Sequence, residues 1–147
     1  MLLFYDPQIK IEIENFILQQ SDSKHITKVL RKKSGDEIKI TDGKGLEWTG
    51  KLTIFTPQKA CAEKIKVFKH VRPDKLIHLA VAPTKSNERM EWLVEKLTEL
   101  GINSITPIIC EHSERKVIKT ERLKKICISA LKQSNQFFLP EIKPIIY

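Results

Sequence analysis

The spacing of apolar residues changes character near residue 72, and that change constrains the fold more than any other feature of the chain. Before it, apolar and polar residues alternate in short runs. Residues 36–41, DEIKIT, lead into Asp42-Gly43-Lys44-Gly45, and LEWTGKLTIF (46–55) follows. Asp-Gly between two alternating runs predicts a β-hairpin. Thr56-Pro57 ends the second run. Residues 60–68 alternate again, with Cys61, Ile65 and Val67 on one side, and LLFY opens the chain as a short apolar run. Several short strands with tight turns predict a small β-barrel or sandwich. One or two helical turns are expected over 22–30, capped by Asp22 or Ser23, with Ile26, Val29 and Leu30 at helical spacing.

Val71-Arg72-Pro73-Asp74 reads as a linker, which divides the chain into domains at 1–71 and 72–147. Beyond it the pattern is β-α-β-α-β. Residues 76–82 are almost unbroken apolar, as in a strand buried on both faces. Residues 88–100 place Met90, Leu93, Val94, Leu97 and Leu100 on one helical face, with Ser86 or Asn87 as cap and Gly101 as stop. Residues 105–110 form a second strand. Residues 121–134 form a second helix, with Thr120 as cap and Leu123, Ile126, Cys127, Ala130 and Leu131 inward; residues 142–146 form a third strand. Strands joined by crossover helices are parallel.

Composition narrows the function classes. The 147 residues carry 26 Lys+Arg against 18 Asp+Glu, a formal charge of +8, which favours a polyanion, RNA or DNA above others. No apolar run reaches the ~18 residues of a membrane span. Cys61, Cys110 and Cys127 lie far apart without a CxxC, which points away from disulfides and zinc and toward a reducing cytoplasm. The four histidines make no metal spacing with one another or with Cys; His78, inside an apolar strand, reads as a hydrogen-bonded core residue. GxGxxG, GxxxxGK[ST] and GxSxG are absent from the sequence.

Open parallel sheets bind ligands at the carboxyl ends of their strands. Those ends are Pro83-Thr84-Lys85 and Cys110-Glu111-His112-Ser113-Glu114-Arg115. The second gathers His, carboxylate and Arg, a set suited to substrate positioning or proton handling; a solvated polar loop is the alternative. Glu88, Glu91, Glu95 and Glu99 form an acidic stripe that a basic partner (Arg115, Arg122 or a second subunit) would relieve. Six basic residues stand against two acidic ones over 24–39, and six against one over 115–125, and both runs suit phosphate. Trp48, Trp92, Phe137 and Phe138 are potential base-stacking rings, with core packing the favoured role for each.

The motifs themselves go further. KHITKVLR (24–31), GDEIKITDGKG (35–45), KSNERMEWLVEKLTELGINSITPIICEHSER (85–115), ISALKQS (128–134) and LPEI (139–142) closely resemble, in order and spacing, the RsmE family. Its members are S-adenosylmethionine-dependent methyltransferases that modify N3 of a uridine in 16S ribosomal RNA. The resemblance implies a β + α/β chain: a PUA-like RNA-binding β-barrel over 1–71, then the N-terminal part of a SPOUT-type (trefoil-knot) methyltransferase domain over 72–147. It implies 16S ribosomal RNA or the small ribosomal subunit as partner, a homodimer, a cytoplasmic location, and neither membrane nor metal. It assigns RNA contacts to Lys28, Arg31, Lys32, Lys85 and Arg89, and the active-site cleft to Glu88, Ser113, Gln133 and Ser134. Glu111 is the candidate base for the uridine N3 proton and Arg115 the candidate stabiliser of the resulting anion, with a structural Glu111–Arg115 ion pair as the competing role. His112 and Gln136 stand where many members carry Arg. The family's Gly-rich GPEGG-type loop, which grips the cofactor, has no counterpart in these residues. The chain alone is therefore expected to bind RNA, to bind S-adenosylmethionine hardly at all and to be inactive, and its uncovered strand edge is expected to favour self-association. A stand-alone RNA-binding module without catalytic activity is the alternative reading, and a protein-binding barrel a third.

Overall fold

A computed structural model describes residues 2–147, which form two compact units divided between Val71 and Arg72. In the first, β1 (Leu2–Tyr5), β2 (Asn15–Ile17), β3 (Glu37–Thr41), β4 (Leu46–Thr56) and β5 (Lys59–Lys69) form one sheet in the order β1-β3-β4-β5-β2. β1 joins β3 in parallel, and the other ladders are antiparallel. The ladders end at β1 and β2, so among the described residues they trace an open order rather than a closed barrel. One core fills the unit, built on Phe4, Ile26, Ile38, Ile40, Trp48 and Leu52.

The β3–β4 turn forms as its sequence predicts. The Asp42 carboxylate accepts the amides of Lys44 (2.7 Å) and Leu46 (3.1 Å), and Gly43 and Gly45 take φ of 73° and 100°. Such angles are open to glycine without a Cβ clash.

The faces of β5 depart from simple alternation. Thr49 pairs with Lys66 but Gly50 with Lys64, so Ile65 is an extra residue on β5. One extra residue flips which positions face inward. Ala60 and Ala62 are buried before the bulge and Val67 packs inward after it, while Ile65 is 47% exposed and Cys61 half-buried. The expected face of Cys61, Ile65 and Val67 is thereby split.

The helical segment over 22–30 also differs. A short α1 (Gln20–Lys24) runs into a π turn (His25–Val29). Gln19 occupies the cap position with no side-chain bond, and Asp22 lies in the first turn, where its charge suits the helix dipole. Ile26 is buried, but Val29 is 65% exposed because the π turn breaks the 3.6-residue period.

The second unit runs β6 (His78–Val81), α2 (Asn87–Glu99), β7 (Ser104–Pro107), α3 (Thr120–Ser134) and β8 (Glu141–Ile142), with a parallel sheet ordered β6-β7-β8. Met90 and Val94 of α2 share a core with Leu123 and Cys127 of α3 and with Leu79, Ile105 and Ile142 of the sheet. Ser86 caps α2, and Gly101 (φ 82°) follows its end. Thr120 is the first residue of α3 rather than its cap, a position taken by Lys119 without a side-chain bond. Residues 76–82 are not buried on both faces. Leu76, Ile77, His78 and Ala80 are exposed, because β6 is an edge strand and both helices pack on the face opposite His78 and Ala80. His78 is hydrogen-bonded, its Nε2 lying 2.7 Å from Thr106 Oγ1, but it is not a core residue. The third strand is two residues long, with a separate bridge from Ile108 to Ile146. Trp48 is fully buried as expected, whereas Trp92 is 61% exposed on the outer side of α2. Among the described residues, no helix is long and apolar enough to cross a membrane.

Candidate functional site

The parallel β6-β7-β8 order directs the carboxyl ends of β6 and β7 to one edge, and the loops there hold Lys85, Glu111, Ser113 and Arg115. Arg115 ties the two loops together. Its Nη1 donates to the Lys85 carbonyl (3.4 Å) and its Nε to the Val117 carbonyl (3.1 Å). Two backbone carbonyls thus hold the half-buried guanidinium, and its remaining N–H groups are free of the fork these two define. Lys85 and Glu114 form a 3.4 Å ion pair across the same loops. Both are largely exposed, so the pair contributes little to stability.

Arg115 lines a small cleft with Pro83, Asn87, Met90, Glu91, Lys119 and Arg122. Glu91 is bound by Arg122 at both oxygens, Nε to Oε1 at 2.5 Å and Nη2 to Oε2 at 3.0 Å. These hydrogen bonds raise the Arg122 pKa further above its ordinary value. The acidic stripe of α2 is therefore relieved from within the unit: Arg122 serves Glu91, and Lys96 pairs with Glu95 and Glu99. With Glu91 and Arg122 compensating each other, Arg115 and Lys119 give the cleft a net positive charge.

Glu111 is exposed, and no ion pair joins it to Arg115 among the described residues; the pair formed here is Lys85–Glu114. Ser113 folds the loop on itself, its Oγ accepting the Cys110 amide at 2.8 Å. Glu88 and Arg89 are exposed in the first turn of α2, at the same edge. Gln133 and Ser134 are elsewhere. Gln133 lines a groove with Glu95, Glu99 and Ile126, and Ser134 Oγ donates to the Ala130 carbonyl at 2.6 Å. With 1.5 Å of rise per residue, Glu99 lies about 18 Å along α2 from Asn87 at the cleft. Within one chain these two residues do not join the strand-end group. Gln136 also lies at that far end, donating from Nε2 to the Glu99 carbonyl at 3.0 Å.

The basic run of the first unit follows the π turn. Lys28 and Arg31 are exposed, and Lys32 is half-buried, 3.9 Å from Asp36. Arg31 holds φ of 50°, the left-handed region that non-glycine residues seldom adopt. Glu91, Lys119 and Arg122 are members of the cleft that the sequence did not reveal. Their only sequence signal was charge at helical spacing, which does not say which helix they will meet.

Residues 72–147 match the RNA methyltransferase domain family, and residues 18–65 match the RNA methyltransferase PUA domain family. The chain belongs to the RNA methyltransferase domain family. Ribosomal RNA small subunit methyltransferase E from Buchnera aphidicola is 31% identical over 93% of this chain and 58% of its own. The protein of that name from Aquifex aeolicus is 29% identical over 97% of this chain and 62% of its own. The crystal structure of ribosomal RNA small subunit methyltransferase E from Neisseria gonorrhoeae bound to S-adenosyl methionine superposes with a TM-score of 0.85 at 30% identity, covering 99% of this chain and 62% of that one. The chain thus spans about three fifths of the length of these RsmE relatives.

S-adenosylmethionine does not fit the strand-end cleft as these residues form it. The cleft holds about 80 Å³, whereas pockets that enclose small molecules run to roughly 300–1,000 Å³.

Proposed function

We propose that this chain carries the RNA-binding face and the first part of the catalytic domain of an enzyme that methylates N3 of a uridine in 16S ribosomal RNA, with S-adenosylmethionine as donor. The observation that carries this reading is the Arg115 guanidinium held by the Lys85 and Val117 carbonyls, which joins two strand ends into one basic edge. When bound, the cofactor would supply the methyl group. This chain's residues act on the RNA. Lys85, Arg89 and Lys119 meet phosphate, and Lys28, Arg31 and Lys32 meet the backbone from the first unit. Glu111 accepts the weakly acidic N3 proton, and Arg115, already oriented, stabilises the uracil anion that results. Glu88 and Ser113 shape the same edge. Gln133 and Ser134, about 18 Å away along the helix direction, reach a reacting uridine only from a second subunit, which favours a homodimer. A ribosomal RNA substrate favours a cytoplasmic location.

The test is binding by this 147-residue chain. Affinity for a 16S ribosomal RNA fragment should fall with salt, since phosphate contacts release counterions; a salt-independent curve would overturn the RNA role. Calorimetry should show S-adenosylmethionine binding hardly at all, and micromolar affinity would overturn the assignment of the cofactor pocket to other residues. In the whole protein, Glu111→Gln and Arg115→Gln should each depress methyl transfer more than RNA affinity. Mass spectrometry should place the methyl group on N3.

A further inference from the structure

β4 has a second pairing irregularity at the tip of its hairpin. Ile54 lies opposite Ala60 and Thr56 opposite Lys59, so Phe55 faces no residue across the ladder. A bulge of this kind bends the strand and re-aims the side chain at the extra position. Phe55 is 61% exposed, and Lys59 Nζ stands 5.9 Å from its ring centroid.

The tip is fastened on both sides to the basic turn. The Ile54 amide donates to Ser34 Oγ at 2.9 Å, and Thr27 Oγ1 donates to the Pro57 carbonyl at 3.0 Å. Residues 54 and 57 bracket Phe55, and residues 27 and 34 bracket Lys28, Arg31, Lys32 and Lys33. Hydrogen bonds through their flanking residues therefore tie the exposed ring's segment to the cationic turn. Arg31 is kept there in a left-handed backbone conformation that disfavours a side chain, which is the kind of strain that persists where the side chain has a use.

On the reading that the first unit binds RNA, we infer that Phe55 is a stacking platform for an unpaired RNA base whose flanking phosphates meet Lys28 and Arg31. Charge complementarity selects a polyanion over an apolar protein segment. Duplex RNA hides the faces of its bases, so the ligand is a loop or single strand with a base free to leave its stack.

The experiment titrates this chain with a stem-loop RNA carrying 2-aminopurine in the loop, and with the matching full duplex. Phe55→Ala should weaken loop binding about tenfold, abolish the fluorescence change and leave the salt slope intact, because stacking releases no counterions. Phe55→Trp should restore both affinity and signal. Lys28→Gln and Arg31→Gln should each lower the salt slope by about one. Unchanged loop affinity in Phe55→Ala, with salt dependence retained, overturns the stacking site while the RNA reading stands. Equal affinity for duplex and loop also overturns it. Salt-independent binding by the wild type overturns the RNA reading itself.

Discussion

Gly50 sits where the β4–β5 ladder shifts register, against the indole of Trp48. A Cβ at this position would lie 2.6 Å from Trp48 Cη2, closer still to Cζ3, and 3.0 Å from the Ala62 methyl. Carbon atoms pack at about 3.5–4.0 Å, so in Gly50→Ala the indole must move by about 1 Å or more. It has nowhere to go. Trp48 is fully buried, is packed by Phe16 at 6.3 Å between ring centroids, and donates from Nε1 to the Ile13 carbonyl at 3.0 Å. Overpacking a core costs about 1–3 kcal/mol, and stranding the buried indole N–H adds about 1–3 kcal/mol. The expected loss is about 2–6 kcal/mol, a large part of the ~5–15 kcal/mol that holds an ordinary domain. Urea unfolding followed by tryptophan emission should show the midpoint of the first unit falling by about 1–3 M, given a slope of about 2 kcal/mol/M. Gly35→Ala is the control. Its φ of 99° strains a side chain, yet its nearest neighbour, Lys51 Cε, is 3.9 Å away, so it should cost only about 1–2 kcal/mol. A Gly50→Ala loss no larger than that of Gly35→Ala would refute the steric argument.

Three further outcomes follow from the structure. Arg31→Gly should stabilise the first unit by up to about 1 kcal/mol, the relief of left-handed strain less the entropy of an added glycine, while weakening RNA binding; urea midpoints and filter binding check both signs. Burial pushes the Glu47 carboxyl up, but hydrogen bonds from Lys39 and His70 outweigh it and leave the pKa below the ordinary value. The folded pKa is depressed, so the stability it contributes is present above the ordinary carboxylate range and lost as pH falls through the folded pKa. Glu47→Gln should therefore be less stable than wild type at neutral pH, with the gap closing in acid, as thermal melts across pH would show. Cys110 is exposed, Cys61 half-buried, and burial raises the Cys127 thiol above its ordinary pKa. A thiol reagent should modify Cys110 first and Cys127 only on unfolding, resolved by mass spectrometry of the labelled peptides.

Sequence alone determined what depends on near neighbours in the chain. The Asp42–Gly45 turn, the Ser86 cap, the inward face of α3 and the parallel β-α-β-α-β order rest on spacings of two to four residues and on short crossovers, and they were legible for that reason. The motif order over 24–142 carried the family in the same way. Tertiary structure decided whatever depends on pairing between distant residues. The bulge at Ile65 exchanged the faces of β5, and β1 found a parallel partner in β3, 36 residues away at Leu2 and Ile38. Arg122 was drawn to Glu91, Arg115 to the Lys85 carbonyl, and Phe55 to a bulge whose flanking residues are hydrogen-bonded to the basic turn. The physical reason is that hydrogen-bond register and interhelical ion pairs are set by the sum of contacts across the fold. A one-residue slip reverses every side chain in a strand, and no local pattern records whether the slip occurs.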